Sequence, residues 1–306
     1  MAANEIAIET QGLVCRFGTF TAVDQISLRI PRGVIYGFLG PNGSGKSTTI
    51  RMLCGILSPT AGSGYVLGYD ICREAEAIKQ KIGYMSQKFS LYADLTVREN
   101  LEFYAGLYSL SGINKKQRIQ AMLEMANLTQ AQLVLAGELA GGVKQRMALG
   151  CALLHQPEIV FLDEPTSGVD PVSRRLFWEI LYALAERGTT ILVTTHFMDE
   201  AEHCDEVGFI YQGKLKASGT PAALKRKIPG RLFEVKPADS LEALLLLQSS
   251  GVVYEDAYIF GKYLHVRLRG DDAAALARLG SCREIAPTME DVFVHHVKEN
   301  KGGEAL

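Results

Sequence analysis

The stretch that most constrains this chain is "VIYGFLGPNGSGKSTTI". An apolar run ends at Gly40; Gly45, Lys46 and Ser47 complete the spacing G-x-x-x-x-G-K-S; helix-forming residues follow. The order predicts a buried strand, a tight loop and a helix start, the context in which this spacing becomes meaningful. Glycines let the backbone turn inward so that successive N–H groups surround an anion. Lys46 is placed to neutralise β- and γ-phosphate oxygens, and the Ser47 hydroxyl to hold Mg²⁺. A glycine-rich structural turn is the bland alternative. The flanking strand and helix favour a nucleotide site.

With 306 residues the chain exceeds what one core usually holds, so a large domain plus a small one is expected. Residues 1–220 alternate β-branched runs with helical periods, the pattern of α/β layers. Strands are expected at "IAIETQ", "QISLRI", "VIYGFLG", "KIGYMSQ", "EIVFLDE" and "TTILVTTH", and "VGFIYQGKLKASG" reads as a hairpin turning at Gly213. Helices are expected over residues 46–56, through most of 97–127 with a break at Ser111-Gly112, and over 138–150 and 172–187. Residues 221–230, containing "LKRKIPGR", read as a basic linker. Residues 231–306 follow the order βαββαβ, a small α+β ferredoxin-like unit with a hairpin at Gly261-Lys262. A last helix is announced by the capping box Thr288/Asp291, with Met289, Val292, Phe293, His296 and Val297 at packing intervals.

Composition narrows the class. The formal charge is −2, which gives no global attraction to nucleic acid or to an anionic surface. The six cysteines form no C-x-x-C pair, an argument against structural zinc and for a reducing compartment. No apolar run approaches the ~18 residues that a bilayer span needs, and the start lacks the pattern of a signal peptide.

A second set of chemistry-bearing residues lies downstream. "EIVFLDEP" places Asp163 and Glu164 at the C-terminal end of a buried strand, where α/β sheets put their ligands. Asp163 suits Mg²⁺ through water; Glu164 suits holding and deprotonating an attacking water. His196 ends the "ILVTT" strand, within reach of the same γ-phosphate. Gln87, after "KIGYMS", is placed to orient water or touch Mg²⁺. Residues 138–150, "ELAGGVKQRMALG", open a helix on two glycines, with Lys144, Gln145 and Arg146 assigned to its polar side and Met147, Ala148 and Leu149 to its packed side. Glycine costs a helix about 1 kcal/mol relative to alanine, and an anion at a bare helix start is one reason to accept that cost.

Taken together, "GPNGSGKST", "MSQ", "LAGGVKQR", "IVFLDEPTSGVDP" and "TTH" resemble, in order and spacing, the ATP-binding subunit of an ABC transporter over about residues 5–220. The resemblance implies a P-loop NTPase fold of ABC type, with a RecA-like core, an antiparallel β subdomain and a helical signature subdomain. It places Gly40, Pro41, Asn42, Gly43, Ser44, Gly45, Lys46, Ser47 and Thr48 in Walker A and Gln87 in the Q-loop. Leu139, Ala140, Gly141, Gly142 and Val143 fall at the signature, facing the ATP of a partner subunit. Asp163 closes Walker B, Glu164 is the catalytic glutamate, Ser167, Gly168, Val169 and Asp170 form the D-loop, and His196 is the switch histidine. Phe17 takes the place of the adenine-stacking aromatic; a buried core position is its alternative.

By the same resemblance, two subunits meet head to tail around two Mg-ATP and drive export through a separate integral membrane permease. The chain would then sit in the cytoplasm, peripheral on the inner face of the membrane. Residues 88–108 are its expected permease contact, in competition with an ordinary helical-subdomain core role. The sequence departs from the pattern at Ala140, where the family usually has a serine that bonds the γ-phosphate. The competing class, an ABC ATPase acting on nucleic acid or ribosomes, finds no basic surplus, zinc cysteines or long heptad insertion here. The C-terminal unit reads as a dimerising or stabilising appendage, or as a module binding a small regulatory ligand.

Overall fold

The computed structural model describes residues 5–87, 91–270 and 273–299. The chain divides at Pro221/Ala222 into two compact units. The first contains β1 (Ile6–Phe17), β2 (Phe20–Ile26), β3 (Arg29–Pro31), β4 (Ile35–Leu39), α1 (Lys46–Leu53), β5 (Ala61–Val66), β6 (Tyr69–Asp70), α2 (Ala75–Lys81) and β7 (Ile82–Met85). Three helices follow, α3 (Val97–Leu107), α4 (Gly112–Met125) and α5 (Gly141–Leu153). Then come β8 (Ile159–Asp163), α6 (Pro171–Glu186), β9 (Thr190–Thr195), β10 (Glu206–Tyr211) and β11 (Lys214–Gly219).

Two sheets organise this unit. The six-stranded one has the order β11-β10-β4-β9-β8-β7, parallel except where β11 returns against β10. Every residue of β4, β8 and β9 is buried, which is why these strands read as largely apolar runs, with Asp163 ending β8 and threonines at both ends of β9. Their C-terminal ends carry Gly40, Glu164 and His196 to one sheet edge. The five-stranded antiparallel sheet has the order β2-β1-β5-β6, with β3 also on β1. Ile8, Leu13, Val23, Ile26, Ile30 and Val66 from it share one core with Phe38, Ile50 and Phe161.

Sequence periodicity missed β2, β5, β6 and α2. β5 reads "AGSGYV" and has little strand propensity of its own; its long pairing with β1 supplies what its residues do not. The expected strand "QISLRI" is broken. Gln25 takes φ 54° and β2 stops at Ile26, while Thr10 holds the crossing by accepting from Leu28 N and donating to Ile26 O. The helix begun at Val97 has a complete capping box, Thr96 with Glu99. Of the expected permease-contact segment, Lys88, Phe89 and Ser90 lie outside the described residues.

The second unit comprises most of α7 (Pro221–Arg226), then β12 (Arg231–Lys236), α8 (Ser240–Ser249), β13 (Tyr254–Phe260), β14 (Tyr263–Leu268), α9 (Ala273–Leu276), β15 (Ser281–Ile285) and α10 (Met289–Glu299). Its sheet runs β13-β14-β12-β15 with every pairing antiparallel, the arrangement of a βαββαβ split unit. Phe233, Val235, Leu264, Val266 and Leu268 pack on Ala243 and Leu247 of α8 and Leu276 of α9. Thr288 and Asp291 cap α10 reciprocally. The residues expected to be a linker are largely helical. Leu224 and Ile228 are buried, so an apolar side sits inside what composition marked as a basic connector.

Candidate functional site

The phosphate loop leaves β4 and turns into α1 through Gly45, whose φ of 107° lies in the region that side chains avoid. A Cβ there would lie 2.5 Å from Ala22 O, and one on Gly40 would lie 2.2 Å from Ile210 O, so neighbouring backbone leaves no space for a side chain at either end of the loop. The β10–β11 hairpin supports the loop from behind. Gly213 N donates to Ser44 O at 3.0 Å, and Gly213 O accepts from Asp24 N at 2.8 Å. Gly40 N donates to Thr195 O at 3.2 Å, tying the loop's first residue to the end of β9.

Glu164 is the first residue beyond β8, and its φ of 50° is unusual for a residue with a side chain. The turn is held because Glu164 N donates to Thr194 O at 3.2 Å and to Thr194 Oγ1 at 3.0 Å. Three elements then converge on one carboxylate. Lys46 Nζ is 3.1 Å from Glu164 Oε1, Gln87 Nε2 donates to Oε2 at 3.2 Å, and His196 Nδ1 contacts Oε2 at 3.2 Å. Lys46 also donates to Gly40 O at 2.7 Å and Pro41 O at 3.1 Å, so its ammonium is fixed by the loop it belongs to. Bringing a base, an amide and an imidazole together in this way suits the positioning of a water for attack.

One position away, Asp163 Oδ1 accepts from Ser47 Oγ at 2.9 Å and from Thr194 Oγ1 at 2.8 Å. Hydroxyl and carboxylate oxygens side by side are the hard donors that Mg²⁺ takes. Burial and the charge of Asp163 push the Cys54 thiol well up, keeping it inert beside the site. Ser44 Oγ is buried in the loop with no hydrogen-bond partner, as an anion-cradling hydroxyl would be.

A cleft of about 470 Å³ joins Asn42, Gly43, Ser44, Gly45, Lys46, Ser47 and Thr48 to Gln87, Glu164, Phe17, Phe20 and Ala22. Phe17 is 52% exposed, which disposes of the buried-core alternative. It pairs across the β1–β2 turn with Phe20, itself exposed, so two rings rather than one border the cleft. Sequence reasoning missed Phe20 and Thr194. The only signal for the first was a second aromatic three residues on, and for the second the threonine pair before His196.

The signature and D-loop residues lie outside this cleft, on their own element starts. Ala140 is the N-cap of α5 and makes no side-chain cap hydrogen bond. Gly141 has open space where a Cβ would be; a Cβ on Gly142 would lie 2.3 Å from Ser173 Cβ. The two glycines therefore have different causes, and Gly142 is needed for packing on α6. Arg146, expected on the polar side of α5, is buried, and its Nε donates to Ala126 O at 2.9 Å. The D-loop follows Thr166: Val169 is buried, and Asp170 caps α6 by accepting from Ser173 N at 2.9 Å, which lowers its carboxyl below the usual range.

Residues 23–167 match the ABC transporter family. The chain is 51% identical over 222 residues to the probable multidrug ABC transporter ATP-binding protein YbhF of Escherichia coli K12, covering 72% of this chain but only 38% of that protein. It is 36% identical over 300 residues to the Nod factor export ATP-binding protein I of Rhizobium sp. strain N33, covering 95% of this chain and 97% of the relative. Among solved structures, a dimeric post-hydrolysis state of the ATP-binding cassette MJ0796 bound to ADP and Pi matches with TM-score 0.64 and 27% identity, over 70% of this chain and 98% of that one. The relatives thus share both the site-bearing unit and, in the second case, the length that includes the C-terminal unit. This chain belongs to the ABC transporter family, with relatives named as its ATP-binding proteins.

Proposed function

We propose that this chain hydrolyses ATP as the motor subunit of an exporter. In this reading it closes head to tail with a second ATP-binding subunit around two Mg-ATP, and acts on a separate membrane permease. The observation that carries the reading is the convergence of Lys46, Gln87 and His196 on Glu164 beside a loop shaped for phosphate. The adenine stacks on Phe17 and Phe20, the phosphates lie along residues 40–48, and Lys46 turns from Glu164 toward phosphate oxygens. Ser47 and Asp163, whose oxygens already meet, would hold Mg²⁺, and the ion would supply positive charge to the phosphates. Glu164 takes the proton of the attacking water while His196 and Gln87 fix its carboxylate.

The start of α5, with Ala140, Gly141 and Gly142, faces the partner's nucleotide. Its free N–H groups and dipole oppose phosphate charge even without the customary serine hydroxyl. No helix among the described residues is long and apolar enough to cross a membrane, so membrane attachment is assigned to the permease. The Nod factor export relative, matched over nearly the whole chain, favours outward transport.

Glu164→Gln tests the reading. The amide keeps the side chain's size but not the base, and its NH2 end cannot accept as a carboxylate oxygen does, so hydrolysis should fall about 10²–10⁴-fold while ATP stays bound and a dimer accumulates in light scattering. Undiminished phosphate release, or a protein that remains monomeric at all ATP and Mg²⁺ concentrations, would overturn it.

A further inference from the structure

We infer that Glu200 is a positioning residue that locks His196 to the segment carrying Ser167 and Asp170, acting through Thr166 and Arg174. The inference rests on the ATPase reading for its functional meaning, and on geometry for its existence. Glu200 is 1% exposed, a charged side chain taken almost wholly out of water. Such a group needs partners. Its Oε1 accepts from the hydroxyl of Thr166, also buried, at 2.5 Å, and lies 3.7 Å from Arg174 Nε. Arg174 stands one turn into α6, its backbone N–H bonded to Asp170 O at 2.9 Å. The guanidinium covers the ring of Phe197 at 4.5 Å, and that ring lies 4.2 Å from the ring of His196.

The contacts close a circuit. Glu164 and His196 meet on one side at 3.2 Å, and Thr166, Glu200, Arg174 and Phe197 join the same two strand-exit segments on the other. Displacing the start of α6 therefore displaces the imidazole. The circuit is not fully satisfied: Arg174 Nε and Glu200 Oε2 are both buried without a hydrogen bond. At 3.7 Å the Arg174–Glu200 pair attracts by charge but is too long to be a hydrogen bond. A shift of α6 of under an ångström would convert it into one. The link is thus able to report the position of the D-loop, which the head-to-tail arrangement places at the subunit boundary, to the histidine that holds the base. An ordinary buried ion pair would hold the fold without this directional consequence.

The test uses the full-length chain with three substitutions: Arg174→Gln, Thr166→Val and Glu200→Gln. Two readouts are taken, steady-state ATP hydrolysis and the Cε1–H resonance of His196 measured without nucleotide. The expected result is a kcat lowered roughly 10- to 100-fold in each variant, an ATP KM within about twofold of the parent, and a double variant no worse than either single one. Arg174→Lys, which keeps the charge but not the flat face over Phe197, should restore activity only in part. The His196 resonance should move in all three variants. An unmoved resonance, or a kcat that falls only in proportion to loss of thermal stability, overturns the link. If the parent protein itself hydrolysed no ATP, the ATPase reading would fail, and the resonance alone would still decide whether Glu200 positions His196.

Discussion

Lys46 Nζ and Glu164 Oε1 stand 3.1 Å apart in a pair whose side chains are only 4% and 7% exposed. The phosphate-loop cation thus neutralises the carboxylate proposed as the base, and phosphate competes with that carboxylate for the same ammonium. Nucleotide binding and release of the base are coupled by this one contact. Removing one partner of a buried pair leaves the other charge stranded, at a cost of about 3 kcal/mol. Lys46→Met should therefore lower unfolding free energy in urea by that amount as well as abolish ATP binding. Adding Glu164→Gln should recover most of the stability and none of the binding. A single variant as stable as the parent would show that the pair is not holding charge.

The neighbouring glycines of the signature should respond differently to the same substitution. A methyl on Gly142 would meet Ser173 Cβ at 2.3 Å, so Gly142→Ala forces α5 and α6 apart. Overpacking of this kind costs about 1–3 kcal/mol. A methyl on Gly141 meets nothing within 4 Å, so Gly141→Ala should leave the melting temperature unchanged. It would still obstruct a phosphate approaching the helix start, and ATP-driven dimerisation should weaken. Calorimetry and light scattering on the two variants separate these roles. Equal destabilisation by both would contradict the assignment.

What could be read from sequence was whatever is local. The phosphate loop, Asp163 with Glu164, and His196 each sit at the end of an apolar strand, so a short window contains both the group and the reason for its placement. What depends on a distant partner was not legible. β5 exists because β1 pairs with it, and Arg146 is buried because Ala126 O accepts its Nε. Gly142 is a glycine because Ser173 of another helix lies against it. Phe20 borders the cleft only through the register of a hairpin that periodicity did not reveal. The helix Pro221–Arg226 was hidden because it runs into the basic, Pro- and Gly-containing stretch "LKRKIPGR", while its Leu224 is buried.

Phe17 offers a ring face to the cleft yet is 52% exposed, so it contributes little to the core. Aromatic stacking is worth about 0.5–1.5 kcal/mol beyond buried area. Phe17→Ala should raise the ATP dissociation constant by roughly 2- to 10-fold, Phe17→Tyr should leave it unchanged, and neither should alter the melting temperature. Titration with a fluorescent ATP analogue measures this. If Phe20→Ala weakened binding while Phe17→Ala did not, the stacking role would pass to the second ring.

Glu158 joins the strand β8 approach to two cations. Lys81 Nζ contacts Oε1 at 2.7 Å and Arg32 Nη1 contacts Oε2 at 2.8 Å. Hydrogen bonds from Lys81 first, and then Arg32, hold its carboxyl below the ordinary value of 4.5. A folded pKa below the unfolded one means that the stabilisation is complete above the unfolded value. It is lost as pH falls through the folded one. The parent should therefore exceed Glu158→Gln in unfolding free energy at neutral pH, and the difference should shrink from about pH 5 downward. The side chain is 40% exposed, so screening keeps the difference within about 1 kcal/mol, and 1 M salt should reduce it further. Urea unfolding of both proteins between pH 3 and pH 7 gives the comparison. A difference independent of pH would mean that the two hydrogen bonds survive protonation of the carboxyl.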